Sequence, residues 1–426
     1  MRSGKVTLAL ITASFTTLAG PACYAEIAVS ANDGKMVLED GVAKVRKDPL
    51  PDTVSILDLS GGAARIIAEL PAPASVVGPP ASVAIAPDES FALVTGAMKV
   101  DPADPTKSIP DDKLTVIDLK SSPPKVLTTL QAGAGAAGVS INRAATLALV
   151  ANRSEGTVSV FTISGNTLTP AGKIPLGDAK SGPSHPIFSR DGATALVTRD
   201  GDNRISVLSV DGNKVEYTKR DLSAGLRPYQ IDSTGNGDVA IVGNIGTGSG
   251  DADSISLIDM RAKPIRVAST VSVGQTPEGL KMSPDGATFY VADMESDGVW
   301  LVDGPTLRVR RFLHTGQGAH GLYVTRDSRH LLITNRGEGS ISVLDFATNK
   351  LVDRWRIPGG GSPDMGGLSS NGKVFWVSGR YDAEVYAIST VDGHLIRRIP
   401  VGSGPHGLCV YPQPGRYSLG HTCVFR

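Results

Sequence analysis

Five polar residues of the kind that perform acid–base chemistry occupy one position in successive copies of a short motif. The motif is a small residue or proline, one variable residue, usually a glycine, and then alternating apolar positions. In five consecutive copies the variable residues are Tyr229, Glu278, His320, Asp364 and His406. If the copies surround a common axis, two imidazoles and two carboxylates meet there. Such a group could act as a general acid and base, or could bind a divalent metal ion.

The remaining copies carry smaller or less reactive side chains at this position. They are Ala81, Ala137 and Ser184, and His185 stands one residue after Ser184. We therefore expect a lopsided ring with a single polar arc that contacts a ligand, and we include His185 among its candidate residues. The alternative is a hydrated funnel whose polar residues only avoid the burial of charge.

Three arginines follow strands at equivalent places in their repeats: Arg153, Arg336 and Arg380. If these strands end on the face of the polar arc, the guanidinium groups favour a ligand that carries carboxylate or phosphate. The alternative is that each arginine pairs with an acid close to it in sequence and braces its own loop. These nearby acids are Glu155, Glu338 and Asp382.

Short segments of alternating apolar and polar residues, separated by turn residues, fill the chain after its N-terminus. Segments such as Thr53–Leu59 and Ser340–Phe346 recur eight times, with a period of roughly 45 to 50 residues that is typical of four-stranded propeller blades. We predict an all-β propeller of eight blades, or of seven if one early unit with an insertion forms no blade. The first unit lacks an inner strand, so the C-terminal segment beginning at Pro405 should supply it and close the ring.

Several predicted strands resemble those of the YVTN-repeat β-propeller family. The second strands Leu149–Arg153, Leu332–Arg336 and Tyr290–Asp293 follow the pattern that names the family, and Ser340–Asp345 gives the third strand with its aspartate. The resemblance covers nearly all of the chain after residue 25 and implies an exported propeller, similar in fold to bacterial lactonase-type propellers. Eight units depart from the seven blades common in that family.

The N-terminal residues have the pattern of a secretory signal peptide. Arg2 and Lys5 precede an apolar run, and small residues then lead to a cleavage position after Ala25 or Ala22. The run is too short for a membrane anchor, and no later segment is long and apolar enough to span a bilayer. We expect a signal peptide at 1–25, one propeller domain at 26–412, a tail at 413–426, and export to the periplasm or the extracellular space.

Cleavage after Ala25 leaves two cysteines, Cys409 and Cys423. In an oxidising compartment such a pair tends to form a disulfide, which would tie the tail to the closing strand. The alternative is two unpaired cysteines, one of them buried, because sequence spacing does not fix disulfide geometry.

Composition and missing motifs exclude several classes of protein. The 42 basic and 42 acidic residues balance, which argues against nucleic acid as a partner because phosphate binding needs a basic field. No nucleophile elbow, phosphate-binding P-loop, Cys-x-x-Cys pair or haem attachment sequence is present. Serine hydrolases, nucleotide hydrolases and cytochromes therefore find no support.

Two functions remain for such a propeller. We chiefly expect a binding or scaffolding protein that holds a small ligand or a partner protein at the channel mouth. The alternative is an enzyme of lactonase-like or metal-dependent type that acts on a small anionic substrate. No cofactor is certain; a divalent metal held by His320, His406, Glu278 and Asp364 is possible. Two insertions, 32–51 and 96–112, should cover this face as flexible loops.

Overall fold

The computed structural model describes residues 26–39, 42–60, 64–78, 81–234, 237–246 and 253–411. The predicted signal peptide, the tail at 413–426 and Cys423 lie outside these residues. Cys409 is disulfide-bonded, but the predicted cleavage and the pairing of Cys409 with Cys423 stay predictions. No helix in the described part of the chain is suited to cross a membrane.

Eight antiparallel sheets of four strands each form the predicted eight-bladed propeller. From the channel outwards, the strands of blades 1 to 8 are given in four groups. The inner strands are Pro405–Tyr411, Val83–Ile85, Ala136–Ile141, Pro183–Phe188, Pro228–Ser233, Pro277–Met282, Ala319–Val324 and Pro363–Leu368. The second strands are Ile27–Asn32, Phe91–Val100, Leu147–Asn152, Thr194–Arg199, Val239–Asn244, Thr288–Asp293, His330–Asn335 and Val374–Gly379. The third strands are Thr53–Asp58, Ser108–Asp118, Thr157–Ser164, Arg204–Asp211, Ser254–Asp259, Gly298–Asp303, Ser340–Asp345 and Glu384–Ser389. The fourth strands are Arg65–Pro71, Lys125–Gln131, Thr167–Pro175, Lys214–Ser223, Arg266–Ser272, Val309–His314, Lys350–Arg356 and Leu395–Pro400.

Burial decreases from the channel side of each blade to its rim. The second strand Leu147–Asn152 is buried at every residue because both of its faces pack on neighbouring blades. The outer strand Lys350–Arg356 is largely exposed, and its one buried residue is Trp355. The hydrophobic core therefore runs between blades; one cluster, for example, packs Phe91 of blade 2 against Phe161 of blade 3.

Blade 1 is assembled from both ends of the described chain, as predicted. Ile27–Asn32 pairs antiparallel with Thr53–Asp58 on one side and with Pro405–Tyr411 on the other, where Ile27 lies opposite Tyr411. The closing strand also packs Leu408 against blade 8, where it shares a cluster with Trp376. This pairing leaves no open edge between the first and the last blade.

Both insertions form paired strands, so the expectation of flexible loops was wrong. Within the first, Met36–Glu39 pairs with Val42–Val45 as a separate hairpin, called here the mouth hairpin. In the second, the long strands Phe91–Val100 and Ser108–Asp118 continue their pairing beyond the blade. Backbone hydrogen bonds within each insertion supply the order that its proline and charged residues do not predict.

A buried ionic cluster lies at the base of the mouth hairpin. Lys35 Nζ lies 3.1 Å from Asp33, 2.7 Å from Asp52 and 2.5 Å from the carbonyl of Ala74. The other carboxylate oxygen of Asp33 accepts the backbone N–H of Val76 at 2.8 Å. The hairpin is thereby joined to the segment that links blade 1 to blade 2.

Candidate functional site

The eight variable residues of the motif occupy equivalent places: the second residue of each inner strand or, in blade 2, the position two residues before the strand. Alanine or serine fills this place in blades 2 to 4. The polar residues follow without interruption on blades 5, 6, 7, 8 and 1: Tyr229, Glu278, His320, Asp364 and His406. The five residues therefore lie on consecutive blades; Tyr229, Glu278 and His406 border the cavity at the mouth, whereas His320 and Asp364 are buried beside it.

Glycines that follow the variable residues allow neighbouring inner strands to approach closely. A Cβ at Gly279 would lie 1.9 Å from the carbonyl oxygen of His320, and one at Gly321 would lie 2.8 Å from that of Asp364. Each glycine thus faces the backbone of the variable residue in the next blade. This contact explains why the motif usually has glycine at its third position.

Three residues of the arc form a continuous row of polar contacts. His320 Nε2 lies 2.7 Å from Glu278 Oε2, and His320 Nδ1 lies 3.1 Å from Asp364 Oδ1. His320 and Asp364 are buried, whereas the Glu278 side chain is 21 % exposed and borders a cavity at the channel mouth. The imidazole is therefore held between a buried carboxylate and one that faces the cavity.

Asp364 also organises two of the predicted arginines. Its Oδ1 lies 3.0 Å from Arg336 and its Oδ2 lies 3.2 Å from Arg380. Burial by itself favours the neutral acid, but His320 and the two guanidinium groups outweigh it and hold the pKa of Asp364 well below its usual range. Burial likewise opposes the charge of Arg336, but Asp364, Tyr381 and Glu278 together outweigh burial, so the pKa of Arg336 is raised.

Arg153 lies on the other side of the mouth. It pairs with Asp200 at 2.6 Å, donates to the Ser184 hydroxyl, and has its guanidinium carbon 5.8 Å from the centre of the Tyr229 ring. The cation–π contact and the ion pair fix its direction.

The predicted local partners of the arginines were wrong. Glu155 pairs with Lys173, Glu338 pairs with Arg354 and Arg356, and Asp382 accepts hydrogen bonds from Ser362 and Tyr386. The arginines instead pair with acids of the neighbouring or the same blade, namely Asp200 and Asp364. Each loop is braced without them, so the arginines can face the cavity.

Asparagines at the ends of the second strands place the arginines that follow them. Asn335 donates through Nδ2 to Ser340 and Ser342 at 2.9 and 3.0 Å, and Arg336 is the next residue. Asn152 precedes Arg153 in the same way. These bonds pin the end of the strand, so the next side chain starts from a fixed backbone position.

His406 borders the cavity with its ring almost fully buried. Burial, together with the nearby charge of Arg380, lowers its pKa to about 3. Its Nδ1 has no hydrogen-bond partner within the described residues. His406 is therefore a neutral ring near neutral pH, which can donate a hydrogen bond through one nitrogen and accept one through the other.

His185 is not part of the mouth. It is fully buried between blades 4 and 5, where its Nδ1 accepts a long hydrogen bond from the backbone N–H of Ile231 at 3.4 Å. Burial lowers its pKa to about 3. Because strand side chains alternate in direction, the residue after Ser184 points away from the side that Ser184 faces.

The cavity at the mouth has a volume of about 710 Å³, within the range of small-molecule sites, roughly 300 to 1,000 Å³. The mouth hairpin borders this cavity through Ala43, and the segment that links blade 1 to blade 2 borders it through Val76 and Val77. A second cavity of about 410 Å³ lies between the mouth hairpin and Tyr381. The first insertion thus covers the mouth, as the sequence predicts.

Several residues that border the cavity were missed in the sequence, among them Arg227, Ile245, Met294 and Tyr381. Ile245 and Met294 directly follow the second strands of blades 5 and 6, where Arg153 and Arg336 stand in blades 3 and 7. A comparison of all eight copies at this place would have found these two. Tyr381 lies beside Arg336 and Arg380, with ring-to-guanidinium distances of 5.9 and 6.0 Å.

The arrangement offers little to a metal ion. Both nitrogens of His320 face carboxylates. Among the residues that the structure describes, no three His, Cys, Asp or Glu side chains are grouped so as to hold one. The metal alternative stays a prediction.

Comparisons with known proteins agree with the fold. Residues 244–415 match the family model described as YNCE-like beta-propeller, and residues 95–304 match the one described as Lactonase, 7-bladed beta-propeller. These matches confirm the resemblance to propeller families that the sequence indicates. The eight blades seen here exceed the seven that the second description names.

Relatives and solved structures are similar at low identity. YncE of Salmonella typhi is 25 % identical over 134 residues, which cover 30 % of this chain and only 37 % of that protein. The dihydro-heme d1 dehydrogenase NirN, in complex with DHE, has a TM-score of 0.64 at 14 % identity and covers 90 % of this chain and 75 % of its own. A functionally unknown protein from Desulfotomaculum acetoxidans has a TM-score of 0.57 at 14 % identity, with coverages of 90 % and 98 %. These structures share the fold.

Proposed function

We propose that this propeller is an exported, periplasmic protein that binds a small anionic ligand in the cavity at its channel mouth. The observation that carries the proposal is the convergence of four arginines on that cavity: Arg153, Arg227, Arg336 and Arg380. A concave site of this volume suits a small molecule better than the flat surface of a partner protein. The signal-peptide pattern supports export.

The arginines are arranged for binding and not only for structure. Arg336 and Arg380 share one carboxylate, that of Asp364, so the pair keeps an excess of positive charge. Arg227 pairs with no carboxylate within the described residues; its guanidinium donates to the carbonyl of Gly246 at 3.4 Å. Guanidinium groups bind carboxylate and phosphate through two parallel hydrogen bonds, and partial burial strengthens these bonds.

Binding of small anions tests the proposal. The purified mature protein is titrated calorimetrically with a panel of carboxylates and phosphate esters at low and at high salt, and its melting temperature is followed. We expect saturable binding that weakens with salt. Arg227→Gln should weaken it, whereas Arg308→Gln, which changes an exposed arginine between the third and fourth strands of blade 6, should not. Equal affinity of both variants for the anion would show that the cavity is not the binding site.

An enzyme is the second candidate, and the row Glu278–His320–Asp364 favours it. Glu278 combines a cavity-facing carboxylate with a buried histidine behind it, an arrangement that can accept a proton from a bound water or substrate. The match to a lactonase family model gives the same suggestion by analogy of fold, which is weaker support.

Hydrolysis of lactones separates the two candidates. Purified protein is assayed by pH-stat with neutral and phosphorylated sugar lactones. An enzyme of this kind should lose turnover in Glu278→Gln while retaining anion binding. Binding without turnover of any lactone supports the binding protein instead.

A further inference from the structure

The arginines at the mouth are divided between two opposite sides of the ring. Arg153 extends from blade 3 to Asp200 of blade 4, and Arg227 lies in the loop that leads from blade 4 to blade 5. Because both lie at blade 4, these two arginines are called here the blade 4 pair. Arg336 and Arg380 follow the second strands of blades 7 and 8 and meet at Asp364; these are the blade 8 pair. Neighbouring blades of an eight-bladed ring are about 45° apart, so blades 4 and 8 face each other across the channel.

Each pair retains positive charge that its own carboxylate does not cancel. In the blade 4 pair Asp200 neutralises Arg153, whereas Arg227 has no carboxylate partner in the described chain. In the blade 8 pair two guanidinium groups share the single charge of Asp364. Counted over these ion pairs, each pair holds one guanidinium group more than its carboxylates; the nearby carboxylate of Glu278 is itself in contact with His320.

The walls between the two pairs carry apolar side chains and carboxylates, beside the polar side chains of Tyr229, Thr276 and His406. Ile245 and Met294 border the cavity on blades 5 and 6, and Val76 and Val77 border it from the linker between blades 1 and 2. Glu295 is exposed at the edge on blade 6 and repels an anionic group placed midway between the pairs. An anion is thus favoured at two separated places and disfavoured between them.

We infer that the ligand is an elongated dianion, with an anionic group at each end and an apolar body between them. This inference rests on the proposed function and specifies its ligand class. The apolar body would lie along Ile245 and Met294 under the mouth hairpin, and each end would meet one arginine pair. Linking two anionic groups at the matching spacing makes the second contact intramolecular and raises affinity without any new contact.

Calorimetric titration with two matched series tests the inference. The probes are straight-chain dicarboxylates from glutarate to dodecanedioate, and the monocarboxylates with the same numbers of carbon atoms, below their micelle concentrations. We expect one chain length at which the dicarboxylate binds at least tenfold tighter than its monocarboxylate, a difference of about 1.4 kcal/mol. Arg227→Gln should reduce this ratio towards one, while Arg308→Gln keeps it. A melting temperature unchanged in both variants confirms that they are folded.

Each outcome decides between the claims. A ratio near one at every chain length, or a ratio that Arg227→Gln leaves unchanged, overturns the dianion and leaves anion binding in place. A tenfold ratio that disappears in Arg227→Gln and persists in Arg308→Gln supports it. No saturable binding by either series overturns the inference, and it overturns the proposed function as well when the phosphate esters also fail to bind.

Discussion

Replacement of Asp364 by asparagine is the most direct test of how the mouth is held together. The carboxylate is fully buried and lies within 3.2 Å of Arg336 and Arg380 and 3.1 Å from His320. Asparagine has nearly the same shape but carries no charge. The substitution therefore leaves the two guanidinium groups buried beside a neutral amide.

The loss of one member of a buried ionic group costs roughly 3 to 5 kcal/mol, because the partner charges remain buried without compensation. We expect Asp364→Asn to lower the free energy of unfolding at neutral pH by an amount in this range. Urea denaturation followed by tryptophan fluorescence measures it. Asp392→Asn is the matched control, because Asp392 also pairs with a histidine, His394, but at an exposed site; we expect no measurable change there.

The acid dependence gives a second readout of the same substitution. The pKa of Asp364 is lowered on folding, so its contribution to stability is complete above the ordinary aspartate value of 3.8 and is lost as the pH falls below it. The free energy of unfolding of the wild type should therefore fall in acid by this contribution. Asp364→Asn lacks the carboxylate, so the difference in stability between the two proteins should shrink as the pH falls. If the free energy of unfolding of Asp364→Asn at neutral pH lies within about 0.5 kcal/mol of the wild-type value, the account of the ionic group is refuted.

Three further predictions follow from buried groups. Burial lowers the pKa of His185 and of His406 from 6.5 to about 3. Below pH 6.5 the unfolded chain therefore takes up protons at these two histidines and the folded chain does not. As the pH falls from 6.5, the free energy of unfolding should drop by about 1.4 kcal/mol per histidine per pH unit. Urea titrations should therefore show a shallower pH slope for His185→Gln than for wild type, and identical slopes would contradict this. Gly279→Ala places a Cβ 1.9 Å from a backbone oxygen of blade 7. The substitution should lower the free energy of unfolding by roughly 1 to 3 kcal/mol in thermal denaturation. An unchanged melting temperature would show that neighbouring inner strands can move apart at no cost. Thiol titration of denatured, unreduced mature protein should find no free thiol if Cys409 and Cys423 are joined, and two free thiols would disprove the disulfide.

The sequence predicts the architecture because the signals for it are local. Period-two alternation and Asp-Gly or Asn-Gly turns, as at Gly192 and Gly372 with φ of 72° and 73°, depend on backbone geometry within a few residues. The count of inner strands also shows that Pro405–Tyr411 must complete the first blade. Equivalent positions in a repeat are equivalent positions in the ring, so the polar arc could be listed before any coordinate was known.

The contacts between blades could not be predicted in this way. Arg153 pairs with Asp200 and Arg336 with Asp364, across 47 and 28 residues, in preference to acids only two residues away. The strand pleat turns His185 into the core, although it directly follows a residue at the mouth.

The sequence by itself determined the repeat, the closure of the ring and the residue types that face its axis. The tertiary structure alone decided which charges neutralise each other, which cations remain for a ligand, and how the mouth hairpin covers them. The physical reason is that strand formation depends on neighbours along the chain. Ion pairing and cavity shape depend instead on distances across the ring, which are fixed only when all eight blades are packed.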